Sequence, residues 1–156
     1  MDEHAPSLLE RLAAVAVVTA PESRVHSTPW STDPDCVAAA ARAVLLEAAK
    51  TPPVIIVGHG GNCLFRDRPD VLRVRVTAPF DVRVQRVARR TGVTEQRAAA
   101  DIRRRDADRQ QYLQRYYRSD MNDACGYDLQ INTGTVPLES ALQLILALIR
   151  PATPKQ

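Results

Sequence analysis

Two stretches of this chain carry residue types whose spacing suits chemistry. The first is Gly58-His59-Gly60-Gly61-Asn62-Cys63, directly after a run of branched apolar residues. Its glycines let the backbone approach a ligand and can turn N–H groups toward an anion. His59 suits a base, a phosphate donor or a polar residue that completes a tight turn. The second is AADIRRRDADRQQYLQRYYRSD, where Arg105 and Arg109 stand four apart and share a helix face. Planar guanidinium forks hold phosphoryl oxygens bidentately, and a transferring phosphoryl group needs such donors. The plainer alternative is a solvated helix. There Asp101 with Arg105, and Arg104 with Asp108, have the spacing of ion pairs, each contributing a few tenths of a kcal/mol.

Several familiar chemistries lack their motif. Cys63 stands where the third glycine of a dinucleotide fingerprint belongs, and no Gly-x-x-x-x-Gly-Lys-Ser/Thr loop occurs in the 156 residues. The Gly-His-Gly-Gly string resembles the oxyanion loop of lipases, but no G-x-S-x-G elbow accompanies it. His59 and Cys63 are four apart, and two ligands do not make a metal site, so no metal is expected. The cysteines Cys36, Cys63 and Cys125 are scattered and odd in number, which suits reduced thiols. Tyr112, Tyr116 and Tyr117 beside Arg residues suggest nucleic acid, yet Asp106 and Asp108 repel a phosphate backbone, and no binding motif is present.

The elements that must position these residues alternate. Val37, Ala41, Val44, Leu45 and Ala48 predict one buried face of a helix over 36–50, with Asp33 or Asp35 as its cap. Residues 53–58 predict a strand buried on both faces, because four branched apolar residues run without polar alternation. Strands over 71–77 and 127–132 follow, with helices over 79–90, 94–118 and 137–150. Pro79 and Pro137 suit first helical turns. Residues 7–18 read as a helix whose Ala-Val end is equally a strand, and the proline-rich stretch after Thr19 reads as a loop. This order predicts a parallel α/β sheet in one domain over residues 1–156, with tails at about 1–6 and 151–156.

Composition bounds the answer without naming it. The chain is 45% apolar and 25% charged, with no apolar run long enough to cross a bilayer and no basic leader, so a cytoplasmic protein without a membrane partner is expected. The net charge of +3 is uneven: residues 83–118 hold 11 Arg against four acids, a local excess of +7. Such a segment suits an anionic partner, or an exposed helix written in arginine.

The stretches VIIVGHGGNCLFRDRPDVLRVRVTAP, DIRRRDADRQQYLQRYYRSD and YDLQINTGTVPLESALQLI resemble, in this order, the central and C-terminal parts of the cytidylate kinase-like family of P-loop nucleoside monophosphate kinases. The resemblance runs from about Ser7 to Arg150. It implies a three-layer α/β sandwich around a parallel sheet, P-loop NTPase-like, in which the Gly58, His59, Gly60, Gly61 and Asn62 loop faces a CMP or dCMP nucleotide. It also implies that Arg103, Arg105, Asp106 and Arg109 form the lid over the phosphates, that Arg86 and Arg90 fall near its start, and that Asn132, Thr133 and Gly134 pass the adenine of ATP.

Two departures accompany it. The family's first strand and phosphate loop are not found in these residues, so the fold is expected to be truncated there and ATP with Mg²⁺ to serve only where that loop is supplied elsewhere. The family's usual Arg is here His59, which replaces a fixed positive fork by a ring neutral at most pH values. In this fold class the phosphate-loop strand lies inside the sheet. Its place is expected to be taken by Leu12 to Thr19 as a strand, by closure of neighbouring strands, or by a second chain. The expected function is therefore a degenerate kinase-like protein that retains nucleotide binding or regulation. The alternatives are an active kinase whose loop lies on another segment or chain, and a non-catalytic homodimerising module.

Overall fold

The computed structural model describes residues 16–19 and 33–149. The readings made for 1–15, 20–32 and 150–156, including the helix from Ser7, the proline-rich loop and both tails, lie outside the described residues. The chain separates into two compact units, residues 1–61 and 62–156.

The first unit holds β1 (Ala16–Thr19), α1 (Pro34–Ala48) and β2 (Val54–Val57). β1 pairs with β2 in parallel, Ala16 opposite Val54 through Thr19 opposite Val57. The Ala-Val run thus resolves as a strand at its end, as β-branched residues favour. Helix α1 starts where Asp33 caps it, its side chain accepting from Asp35 N at 3.0 Å. Its buried face is narrower than the spacing predicts. Ala38 and Leu45 are buried, but Val37 and Val44 are each 57% exposed. Seven residues advance a helix by almost two turns, so Val37 and Val44 share one side and leave the core together. The expectation that β2 is buried on both faces also fails. Burial alternates along it instead: Val54 and Ile56 are half-buried, while Ile55 and Val57 are exposed, the pattern of a strand covered on one face.

The second unit carries β3 (Val74–Thr77), α3 (Phe80–Thr91), α4 (Glu95–Tyr117), a 3₁₀ turn (Ala124–Gly126), β4 (Leu129–Asn132) and α5 (Leu138–Leu148). A single turn, α2 (Gly61–Leu64), stands at the junction of the units in sequence. β3 pairs with β4 in parallel, Val74 opposite Leu129 through Thr77 opposite Asn132. The parallel pairing expected from strand–helix alternation is therefore present as two two-stranded ladders.

Helices α3 and α4 form the best-packed pair. Val84, Ala98 and Ile102 are buried between them, with Phe80, Val87, Ala88 and Ala99 packed around. Full burial of a Val or Ile side chain stabilises by about 1.5–3 kcal/mol. Pro79 precedes α3 as its cap, and Gly92 ends it in the left-handed region at φ 72°. Thr94 caps α4 by accepting from Arg97 N at 3.3 Å. No helix among the described residues is long and apolar enough to cross a membrane.

Candidate functional site

The carboxyl ends of parallel strands are where α/β sheets present ligands, because loops there are free to diverge. At the end of β2 the chain makes an unusual turn. Gly58, His59 and Gly60 have φ of 80°, 53° and 70°, three left-handed residues in succession. Glycine adopts this region freely, whereas a residue with a Cβ is held there at a cost of about 1–2 kcal/mol. Gly61 N donates back to Gly58 O at 3.0 Å and closes the turn. A Cβ on Gly61 would approach Ile56 Cγ2 to 3.1 Å, so this position is held small by packing. Gly60 is buried and His59 half-buried.

The ends of β3 and β4 are tied to α3. Thr133, 7% exposed, gives its N–H to Thr77 O at 2.8 Å and its hydroxyl to the same oxygen at 3.0 Å. Arg86 reaches across from α3, donating through Nη1 to Thr133 Oγ1 at 3.0 Å and through Nη2 to Thr133 O at 2.7 Å. Both oxygens of Thr133 are thereby engaged, and the loop after β4 is locked to the helix after β3. Gly134 N donates to Asn132 Oδ1 at 2.9 Å. A Cβ on Gly134 would stand 2.4 Å from Pro79 Cδ, so only glycine lets the two loops meet.

Along α4 the candidate lid residues are used unevenly. Asp106 takes a bidentate pair from Arg83 on α3, at 3.1 and 2.7 Å, with both side chains a third exposed or less. Arg103 stacks its guanidinium 4.8 Å from the centre of the Phe80 ring, which Arg83 approaches to 5.8 Å. A ring face attracts cations, so Phe80 holds two arginines that would otherwise repel. Arg105, Arg109 and Arg90 are exposed. Asp101 is met by Arg97 at 3.4 Å and by Arg104 at 3.8 Å. The expected pair of Arg104 with Asp108 is not made, because Arg104 turns back toward Asp101, which already faces Arg97 and lies on a more buried side.

Asn62 is the first residue of the second unit. It lines a cavity of about 140 Å³ with Cys63, Arg66, Arg73, Ser119, Asp123, Cys125 and Gly126. Beneath it, Arg73 and Asp128 start the β3–β4 ladder. Asp128 accepts from Arg73 N at 2.8 Å, from Nε at 3.0 Å and from Nη2 at 2.5 Å. These bonds, side-chain ones first, hold the Asp128 carboxyl below its usual range. Burial pushes the Tyr127 phenol up nearby.

Sequence reasoning thus finds the turn at Gly58 and the arginine helix, and it misses Phe80, Arg83, Arg73 and Asp128. Arg83 and Asp106 are 23 residues apart, and Arg73 and Asp128 are 55 apart. No periodicity links residues that far apart, so only the carboxylate and guanidinium types themselves hint at the pairs. Among the described residues no group of three His, Cys, Asp or Glu could hold a metal ion.

With this geometry in place, known proteins supply the context. The model of the "Cytidylate kinase-like family" matches residues 1–135. Cytidylate kinase from Sulfolobus acidocaldarius is 36% identical over 96 residues, 62% of this chain and 52% of that protein. The cytidylate kinase of Aeropyrum pernix is 37% identical over 101 residues, 65% of this chain and 58% of that protein. A crystal structure of an uncharacterized protein from Eubacterium ventriosum superposes with a TM-score of 0.63 at 25% identity, covering 78% of this chain and 67% of that one. The chain spans about half the length of the curated relatives it matches. Its α/β architecture with parallel strands is that of P-loop proteins, and by a family match over residues 1–135 the chain belongs to the cytidylate kinase-like family.

Proposed function

We propose that these 156 residues bind a nucleoside monophosphate of the CMP or dCMP class and that, by themselves, they do not transfer phosphate from ATP. The observation that carries the binding half is the run of three left-handed residues, Gly58-His59-Gly60, at the carboxyl end of β2. A half-buried histidine kept in that conformation is strain of the kind that collects where ligands are held. On the second unit, Arg90, Arg103, Arg105 and Arg109 are exposed, while Arg86 and Asp106 are positioning residues engaged by Thr133 and Arg83.

The second half rests on donors. A triphosphate with Mg²⁺ is held by a glycine loop with Lys and Ser/Thr, and these residues contain no such loop. A second reading is that the loop lies on a further segment or chain. The coverage of only 52% and 58% of the two curated relatives favours it.

The deciding experiment pairs calorimetric titration of CMP, dCMP and AMP with a coupled ATP/CMP kinase assay on the purified chain. Binding of CMP with no turnover is expected. No heat with any nucleotide refutes the binding half, and turnover above a blank refutes the other half.

A further inference from the structure

The small cavity at the amino end of the β3–β4 ladder plays no part in the nucleotide reading, yet it gathers two thiols. Cys63 is buried, 8% exposed, and Cys125 is exposed on the 3₁₀ turn, both of them unoxidised and both lining the cavity. A side chain at Gly126 would reach Asn62, its Cβ standing 3.8 Å from Asn62 Nδ2, so the backbone beside Cys125 faces the residue beside Cys63. The turn is short and exposed and is held mainly by Asp123, which accepts from Cys125 N at 2.9 Å. Arg66 lines the same space, and its guanidinium makes no ion pair among the described residues.

We propose that Cys63 and Cys125 are a thiol–disulfide exchange pair whose oxidant is a small, carboxylate-bearing disulfide. Cys125 loses its proton and attacks one sulfur of the disulfide, forming a mixed disulfide and expelling one thiolate, which takes up a proton. Cys63 then loses its proton and attacks the Cys125 sulfur, breaking the bond to the small molecule and releasing its second half as a thiol. Two protein thiols are oxidised to one disulfide, and one small disulfide is reduced to two thiols. Exposure selects Cys125 as the entry point, since the incoming sulfur must be reached in line, and burial selects Cys63 as the resolving thiol. Arg66 draws a carboxylate-bearing molecule to the cavity. Closure requires the two Cα atoms to come within about 7 Å, with the exposed turn that carries Cys125 moving over the cavity that both thiols line. A metal is the poorer match for this pair, because among the described residues no third donor joins the two sulfurs.

The test uses the full chain with Cys36→Ser, which removes the remaining thiol. Native protein is exposed to glutathione disulfide, quenched with acid, alkylated, and read by intact mass and peptide mapping. The expected product has lost two hydrogens and yields a linked Cys63–Cys125 peptide. In a Cys63→Ala background the reaction is expected to stop at a glutathione adduct on Cys125, and Arg66→Ala is expected to slow the first step several-fold. An adduct on Cys125 that persists while Cys63 is intact overturns the pair, as does the absence of any reaction. Should Cys63→Ala fail to fold, the mapped cross-link alone decides. The readout needs no nucleotide, so its failure leaves the nucleotide reading untouched.

Discussion

Arg86 separates a structural role from a ligand role, and a double-mutant cycle with Thr133 measures which it plays. In Arg86→Met the side chain keeps its length but loses both bonds, to Thr133 Oγ1 at 3.0 Å and Thr133 O at 2.7 Å. A hydrogen bond from a charged donor contributes about 1.5–3 kcal/mol, and the exposed surroundings of Arg86 argue for the lower end, so about 2–3 kcal/mol is expected for the pair. Thr133→Val is near-isosteric and removes only the hydroxyl. Thr77 O keeps its backbone bond from Thr133 N, which limits the loss to about 1–2 kcal/mol. The two substitutions share one bond, from Nη1 to Oγ1. The double variant should therefore be less destabilised than the sum by about 1 kcal/mol. Urea unfolding followed by circular dichroism reads all four proteins, and CMP titration of each follows. A coupling below about 0.3 kcal/mol, the usual error of additivity, would refute the latch. A loss of CMP affinity in Arg86→Met that Thr133→Val does not share would refute its assignment as a positioning residue.

Four further substitutions have outcomes that follow from the structure. Gly134→Ala forces a Cβ to within 2.4 Å of Pro79 Cδ, on a ring that cannot swing aside, and should cost about 1–3 kcal/mol in urea unfolding. Gly92→Ala meets no atom within 4 Å and should lose only the left-handed backbone preference, about 1 kcal/mol, so equal or reversed losses would refute the packing argument. His59→Gly removes the imidazole while keeping the φ of 53° accessible and should weaken CMP binding; unchanged affinity removes His59 from the site. Because Asp128 has its carboxyl lowered in the folded state, the unfolded chain binds more protons in acid. Its contribution is present above the unfolded value of about 3.9 and fades as pH falls through the folded one. Asp128→Asn should flatten that acid loss in a series of urea midpoints against pH, and an unaltered slope would discount the Arg73 pair.

What the sequence discloses depends on how local the determining interaction is. Thr94 as a cap, Pro79 at a helix start and the parallel strand–helix order need only neighbours a few residues away, and each is readable. The glycine turn at Gly58 is readable as a turn, but not its three successive left-handed residues, since His59 carries no local demand for that region. The face of α1 is misread because Val37 and Val44 fit the helical period as well as Ala38 and Leu45 do, and which stripe is covered depends on packing partners distant in sequence. Charge pairing is least legible. Asp101, Asp106 and Asp108 each have more than one arginine three or four positions away. Asp101 with Arg97 and Arg104, rather than Arg104 with Asp108, is a choice made by burial and not by spacing.

The same pairing changes what the arginine excess means. Within residues 83–118 the local charge of +7 suggests a single field aimed at a phosphate. In the structure Arg83 is engaged by Asp106, Arg86 by the Thr133 loop, and Arg97 and Arg104 by Asp101. These four arginines hold α3 to α4, lock the loop after β4 or line one side of α4, and none needs a ligand to account for it. Arg103 rests on Phe80, where a ring face offsets part of its repulsion from Arg83. Exposed besides these are Arg89, Arg90, Arg105, Arg109, Arg115 and Arg118. Exposed charges attract a ligand over a distance limited by the Debye length, about 8 Å at physiological salt. A phosphate drawn by this set should bind with marked salt dependence, whereas the tie of Arg86 to Thr133, shielded at a buried threonine, should persist in salt that abolishes nucleotide binding. The two roles of arginine in one helical pair are thus separable by ionic strength, although sequence composition alone merges them into one number.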